Sequence, residues 1–78
     1  MVEQYHVPAV ERAIERHTHP SQPGVHILFA VTGDGFGLYH EAFTDEYEAE
    51  AALVRELMRE SEWSEGVVDF TVETFYRE

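Results

Sequence analysis

The side chains with the most chemistry to offer are carboxylates. Asp45, Glu46, Glu48, Glu56, Glu60, Glu62 and Glu65 crowd one stretch of the chain, and no lysine interrupts them. On a helix, acids three or four residues apart sit about 5–6 Å from one another. A row of that kind can stand in for the phosphates of a nucleic acid in front of a basic surface. Trp63 lies among these acids, and two roles suit it. It can anchor an interface, where tryptophan is enriched, or it can cap the core where the helix ends. The partner-binding set expected from the sequence is therefore Glu46, Glu48, Glu56, Glu60, Glu62, Trp63 and Glu65.

Other chemistries find less support. His17 and His19 fall where a helix gives way to a loop. His26 and His40 meet only if their strands fold back on each other. Zinc can be held by three histidines, but neither an HExxH pattern nor a cysteine is present, so no metal site is assigned. His40 and Glu41 are adjacent, and neighbours in a strand point to opposite faces. Ser21, Ser61 and Ser64 sit in loops without a nucleophile elbow. The glycine-rich run at 33–37 reads as a hairpin and not as the start of a helix, which makes it a poor phosphate cradle. The expectation is a protein without catalytic residues or cofactor.

Composition narrows the partner. The 78 residues carry 16 acids against five arginines, for a net charge of −11. Most of that charge lies beyond residue 40. Binding to a phosphate backbone depends on Lys and Arg, so direct nucleic-acid binding is not expected. An anionic membrane would repel the chain, and no apolar run approaches the length of a span. A basic partner is favoured, with fast and salt-sensitive association. The N-terminal residues lack a basic and then apolar signal pattern, and the absence of cysteine fits a reducing compartment, so a cytoplasmic location is expected. A halophilic or GC-rich-genome housekeeping domain, with acidity serving solvation, is the rival explanation. Against halophily, Asp34, Asp45 and Asp69 are the only aspartates.

These side chains must be held by a single domain, residues 1–78. The clearest element is a helix from Thr44 to Glu60. Tyr47, Ala51, Val54 and Met58 recur at helical spacing, with Leu53 and Leu57 on one shoulder, and this stripe is expected to face the core. Thr44 or Asp45 can cap the helix start, and Glu50 falls oddly within the apolar stripe. An earlier helix starts near Pro8 and runs to about Thr18. Val25–Thr32, Phe36–Phe43 and Val67–Arg77 read as strands, the first two joined as a hairpin through Gly33-Asp34-Gly35. Residues 2–7 alternate weakly and form either a short strand or a lead-in to the helix.

The expected architecture is α+β, in the order αββαβ: a three-stranded antiparallel sheet with Val25–Thr32 in the middle and two helices covering one face. The alternative is a ferredoxin-like βαββαβ arrangement, and with it a small enzyme or metal-binding domain. Helices on one face leave the other open. Ile27, Phe29, Val31, Leu38, Phe70 and Val72 are expected to point to the helices. Leu28, Ala30, Glu41 and Thr71 are assigned to the open face, together with a candidate binding patch of Tyr39, Phe43, Asp69, Glu73 and Phe75.

In size, charge and β-β-α-β layout the chain resembles the small acidic inhibitor proteins of phages and mobile elements, such as anti-CRISPR proteins and DNA-mimic inhibitors. The resemblance rests on the acidic helix at 45–60, the acidic loop at 60–65 and compactness. It implies a stoichiometric inhibitor that blocks the nucleic-acid-binding surface of a basic effector, acting in the host cytoplasm if phage-encoded.

Overall fold

The computed structural model describes Val2 and residues 4–78. The element order is β1 (Gln4–Tyr5), α1 (Val7–His17), β2 (Gly24–Thr32), β3 (Phe36–Phe43), α2 (Glu46–Met58), a 3₁₀ turn (Glu60–Glu62) and β4 (Val67–Tyr76). One mixed sheet runs in the order β1-β3-β2-β4. β2 lies at its centre, antiparallel to both β3 and β4, and β1 adds a short parallel edge through Gln4 opposite Phe36 and Tyr5 opposite Gly37. The sheet thus has four strands, not the three expected. Of the strand weighed for residues 2–7, Gln4 and Tyr5 are extended and paired, and Glu3 lies outside the described residues. The order of elements matches the ferredoxin-like alternative, but the strand order does not. That arrangement would put the first strand centrally and β2 at an edge.

The larger correction concerns the helices, which cover opposite faces of the sheet. β2 explains why. Val25, Ile27 and Phe29 pack on one side with Val10 and Ala13 of α1 and with Val2. Leu28 and Ala30 pack on the other with Ala52 of α2 and Phe70 of β4. A strand that is apolar at both parities must be covered on both faces. The expected open face therefore does not exist. Directly opposed residues share a face. Glu73 and Phe75 lie opposite Ile27 and Val25 on the α1 side, while Val72 and Phe70 lie opposite Leu28 and Ala30 on the α2 side.

On the α1 side, Tyr5, Phe29 and Phe75 form an aromatic triad with centroid separations of 5.6 to 6.1 Å. Val2 closes over it, and its backbone N–H donates to Glu73 Oε2 at 2.9 Å. Arg77 ties the end of β4 to the end of α1 by donating from Nη1 to the Thr18 carbonyl at 3.0 Å. The hairpin loop Gly33-Asp34-Gly35 is closed by the Gly35 N–H on the Thr32 carbonyl at 2.9 Å. Gly35 adopts a φ of +86°, which a glycine accepts without steric cost and which three-residue hairpin loops require.

α2 begins as expected, with Asp45 as N-cap accepting from the Tyr47 N–H at 2.9 Å. Its rotation is the reverse of the expected one. The residues against the sheet are Ala49, Ala52 and Glu56, with Leu53 half-buried. Tyr47 is 81% exposed, Val54 54% and Met58 82%, with Ala51 and Leu57 also on the outside. The two buried alanines let the helix approach β2 closely, and the bulk on this side comes from Phe70, Trp63 and Phe43. Glu50 is exposed, so its place beside the apolar stripe costs nothing.

Candidate functional site

Two features meet around α2: an outward apolar stripe with acids around it, and a cleft at the C-terminal end of the helix. The cleft starts from a β-bulge. Leu28 lies opposite Glu41 and Phe29 opposite Tyr39, so His40 is an extra residue in β3. A bulge bends its strand and re-aims the side chain it carries. His40 turns towards α2, where its ring meets Phe70 edge-on at 5.4 Å. Its Nε2 lies 3.7 Å from Glu56 Oε1. Arg59 Nη1 approaches the same oxygen at 3.6 Å, and Arg59 Nε lies 3.7 Å from Glu62 Oε2. Trp63 forms the rim. Its ring stands against Phe70 at 5.1 Å, and its Nε1–H donates to the Glu56 carbonyl at 2.7 Å. Together with Leu38, Ser64 and Val67 these residues enclose about 450 Å³.

This geometry divides the expected partner-binding residues. Glu56 is only 8% exposed and is held by His40 and Arg59, so it belongs to the core edge and not to a docking surface. A carboxylate in that position must be paired, and it is. Trp63 is half-buried, with its indole N–H already bonded, and it covers the core as the second of its two roles required. Glu46, Glu48, Glu60, Glu62 and Glu65 are exposed. Glu46 and Glu48 occupy the first turn of α2, where negative charge favours the helix dipole, and Glu60, Glu62 and Glu65 follow its end.

Four of the five residues of the second expected patch share one face of the sheet, but that face carries α1 and is not open. Tyr39, Asp69, Glu73 and Phe75 belong to the α1 side by their pairing with Phe29, Val31, Ile27 and Val25, whereas Phe43 packs on the α2 side. Phe75 is in the aromatic triad and Glu73 accepts from the Val2 N–H, so both are half-buried and engaged within the fold. The histidines disperse. His19 Nδ1 is 2.7 Å from Ser21 Oγ, His26 Nδ1 is 2.9 Å from Thr74 Oγ1, and His40 faces Glu56. Among the described residues no group of three or more His, Asp or Glu is placed to hold a metal ion. No helix among them is long and apolar enough to cross a membrane.

The chain matches no family model, no curated protein and no solved structure. Its function must therefore be argued from the site itself. Two features of that site escaped the sequence reading. The pairing of His40 with Glu56 depends on a bulge that leaves no mark in the local sequence. The outward face of α2 depends on a packed face made only of Ala49, Ala52 and Glu56, small residues ending in a carboxylate three residues before Arg59.

Proposed function

We propose that the protein is a non-enzymatic binding protein of the anti-CRISPR or DNA-mimic type. It sets exposed acids against the basic surface with which a partner holds nucleic acid, and so competes with that nucleic acid. The observation that carries this reading is that the acid field is not neutralised from within. Among the described residues, Glu46, Glu48, Glu60 and Glu65 take part in no ion pair, and the nearest arginine past α2, Arg59, is engaged by Glu56 and Glu62. An uncompensated field of this kind steers a basic partner from a distance and weakens with salt. Glu60 and Glu65 are the primary contacts, with Glu62 between them on Arg59 and Glu46 and Glu48 at the other end of α2. The reading places the protein in the cytoplasm, in a host cell if it is phage-encoded.

The test is capture from host lysate by the wild-type chain and by a Glu60→Arg/Glu62→Arg/Glu65→Arg variant, at low and high salt, with duplex DNA as competitor. The expected result is a nucleic-acid-handling protein captured at low salt, displaced by DNA and lost with the variant. Equal capture by the variant, or indifference to DNA, overturns the reading. A wild-type chain that unfolds in low salt and refolds at molar salt would assign the acidity to solvation instead. Glu56 is unsuited to this test because reversing a buried charge disturbs the fold.

A further inference from the structure

The outward face of α2 has a pattern of its own. Tyr47, Ala51, Val54 and Met58 are spaced four, three and four residues apart, the a/d seam of a coiled coil. None of the four is covered: Tyr47 and Met58 are almost wholly exposed, and Ala51 and Val54 are exposed with them. Such a seam on a helix that already has a different face on its own core is unusual for a solvated surface, where large apolar side chains are scattered singly. In the heptad that this seam defines, Glu48 and Arg55 take the flanking e positions, and Glu50 and Leu57 take the g positions.

We propose that α2 packs against α2 of a second copy of the chain, antiparallel across a two-fold axis. The residue numbers are self-complementary in that alignment. Ala51 meets Val54 of the second copy, and Tyr47 meets Met58, an aromatic ring against a thioether. Small faces large in the middle of the seam, and the longest side chains close its ends. Antiparallel pairing brings e positions beside e positions, so Glu48 of each copy lies against Arg55 of the other and two symmetric ion pairs form.

Charge selects this alignment over the parallel one. A parallel pair would also allow contacts, between Glu50 and Arg55. It would, however, set Asp45, Glu46 and Glu48 of both copies side by side, at the positive ends of two dipoles pointing the same way. The antiparallel pair sets that acidic first turn beside the end of the other helix that carries Arg55 and opposes the two dipoles. A 13-residue helix gives a short seam. The dimer is accordingly concentration-dependent and not obligate. It goes beyond the proposed partner and does not rest on it: Glu60, Glu62 and Glu65 lie past the end of the helix and outside the seam, and Glu48 is the one acid that the two surfaces share.

The test is sedimentation velocity of the full chain from micromolar to millimolar concentration, with circular dichroism to establish that each variant is folded. The wild type should shift from monomer to dimer over that range. Val54→Glu should remain monomeric while folded, since Val54 faces outward. Arg55→Glu should weaken association about tenfold by setting Glu48 against a like charge, and Glu48→Arg/Arg55→Glu should restore it. A wild-type chain that stays monomeric at millimolar concentration overturns the proposal and leaves the seam to a different partner. Rescue of Arg55→Glu by Glu50→Arg, and not by Glu48→Arg, overturns the antiparallel alignment.

Discussion

The indole Nε1–H of Trp63 donates to the main-chain carbonyl of Glu56 at 2.7 Å, across the junction where α2 ends and the chain turns into the 3₁₀ segment. Carbonyls in the last turn of a helix have no partner within it. The Glu56 carbonyl also accepts the Arg59 N–H at 3.0 Å, so Trp63 adds a second bond to it while its ring stands on Phe70. Trp63→Phe keeps most of the ring and removes the hydrogen bond, and should cost about 1 kcal/mol. Trp63→Ala also removes the cover over Phe70 and should cost about 3 kcal/mol. Urea unfolding followed by circular dichroism measures both, since the chain has a single Trp and the variants lose its fluorescence. Equal stability of wild type and Trp63→Ala would place this side chain outside the core.

A second prediction concerns the N-terminal segment. Gly37 is buried under Val2, and a Cβ there would lie 2.6 Å from Val2 Cγ1 and 3.1 Å from Phe29 Cδ1. Phe29 is locked between Tyr5 and Phe75, so Val2 is the residue that must yield. Gly37→Ala should cost about 1–3 kcal/mol through overpacking, and it should speed hydrogen exchange at Tyr5 in β1. Val2→Ala creates the space that the new methyl needs. The double variant should therefore lose less stability than the two single losses added together. Additive losses would mean that Val2 does not rest on Gly37.

The elements were legible because local signals set them. Phe36–Phe43 is found with the bounds read for it as the return strand after the Gly33-Asp34-Gly35 turn, and Asp45 caps α2. The central position of β2 followed from its apolar run. The same run also held the evidence against an open sheet face, because Leu28 and Ala30 are as apolar as Ile27 and Phe29. Rotation of α2 was misread for a physical reason. Periodicity finds an apolar stripe but does not say whether the core or another molecule covers it, and Ala49 and Ala52 carry too little bulk to mark the packed face. The site divided in the same way. Exposure of Glu60, Glu62 and Glu65 was legible in their loop-like setting, whereas burial of Glu56 depended on which face of α2 meets the sheet.

The last prediction follows from the hairpin loop. Asp34 Oδ1 accepts the Thr32 hydroxyl and, at 3.4 Å, the Phe36 N–H. Both bonds favour the charged carboxylate, the Thr32 hydroxyl most, and they hold Asp34 below its ordinary value of 3.8. The sign of the linkage follows. The unfolded chain binds the proton more readily, so the stabilisation is present above that ordinary value and is lost as pH falls through the lower folded-state value. A carboxyl titration by NMR should place the Asp34 midpoint below that of a free aspartate. Thr32→Val removes the main donor and should move the midpoint back up, with the Phe36 N–H leaving a residual shift. Asp34→Ala should remove this group's contribution to the acid limb of the stability curve, a small change because the side chain is exposed and screened. A midpoint that does not move in Thr32→Val would show that the hydroxyl does not set the charge of the loop.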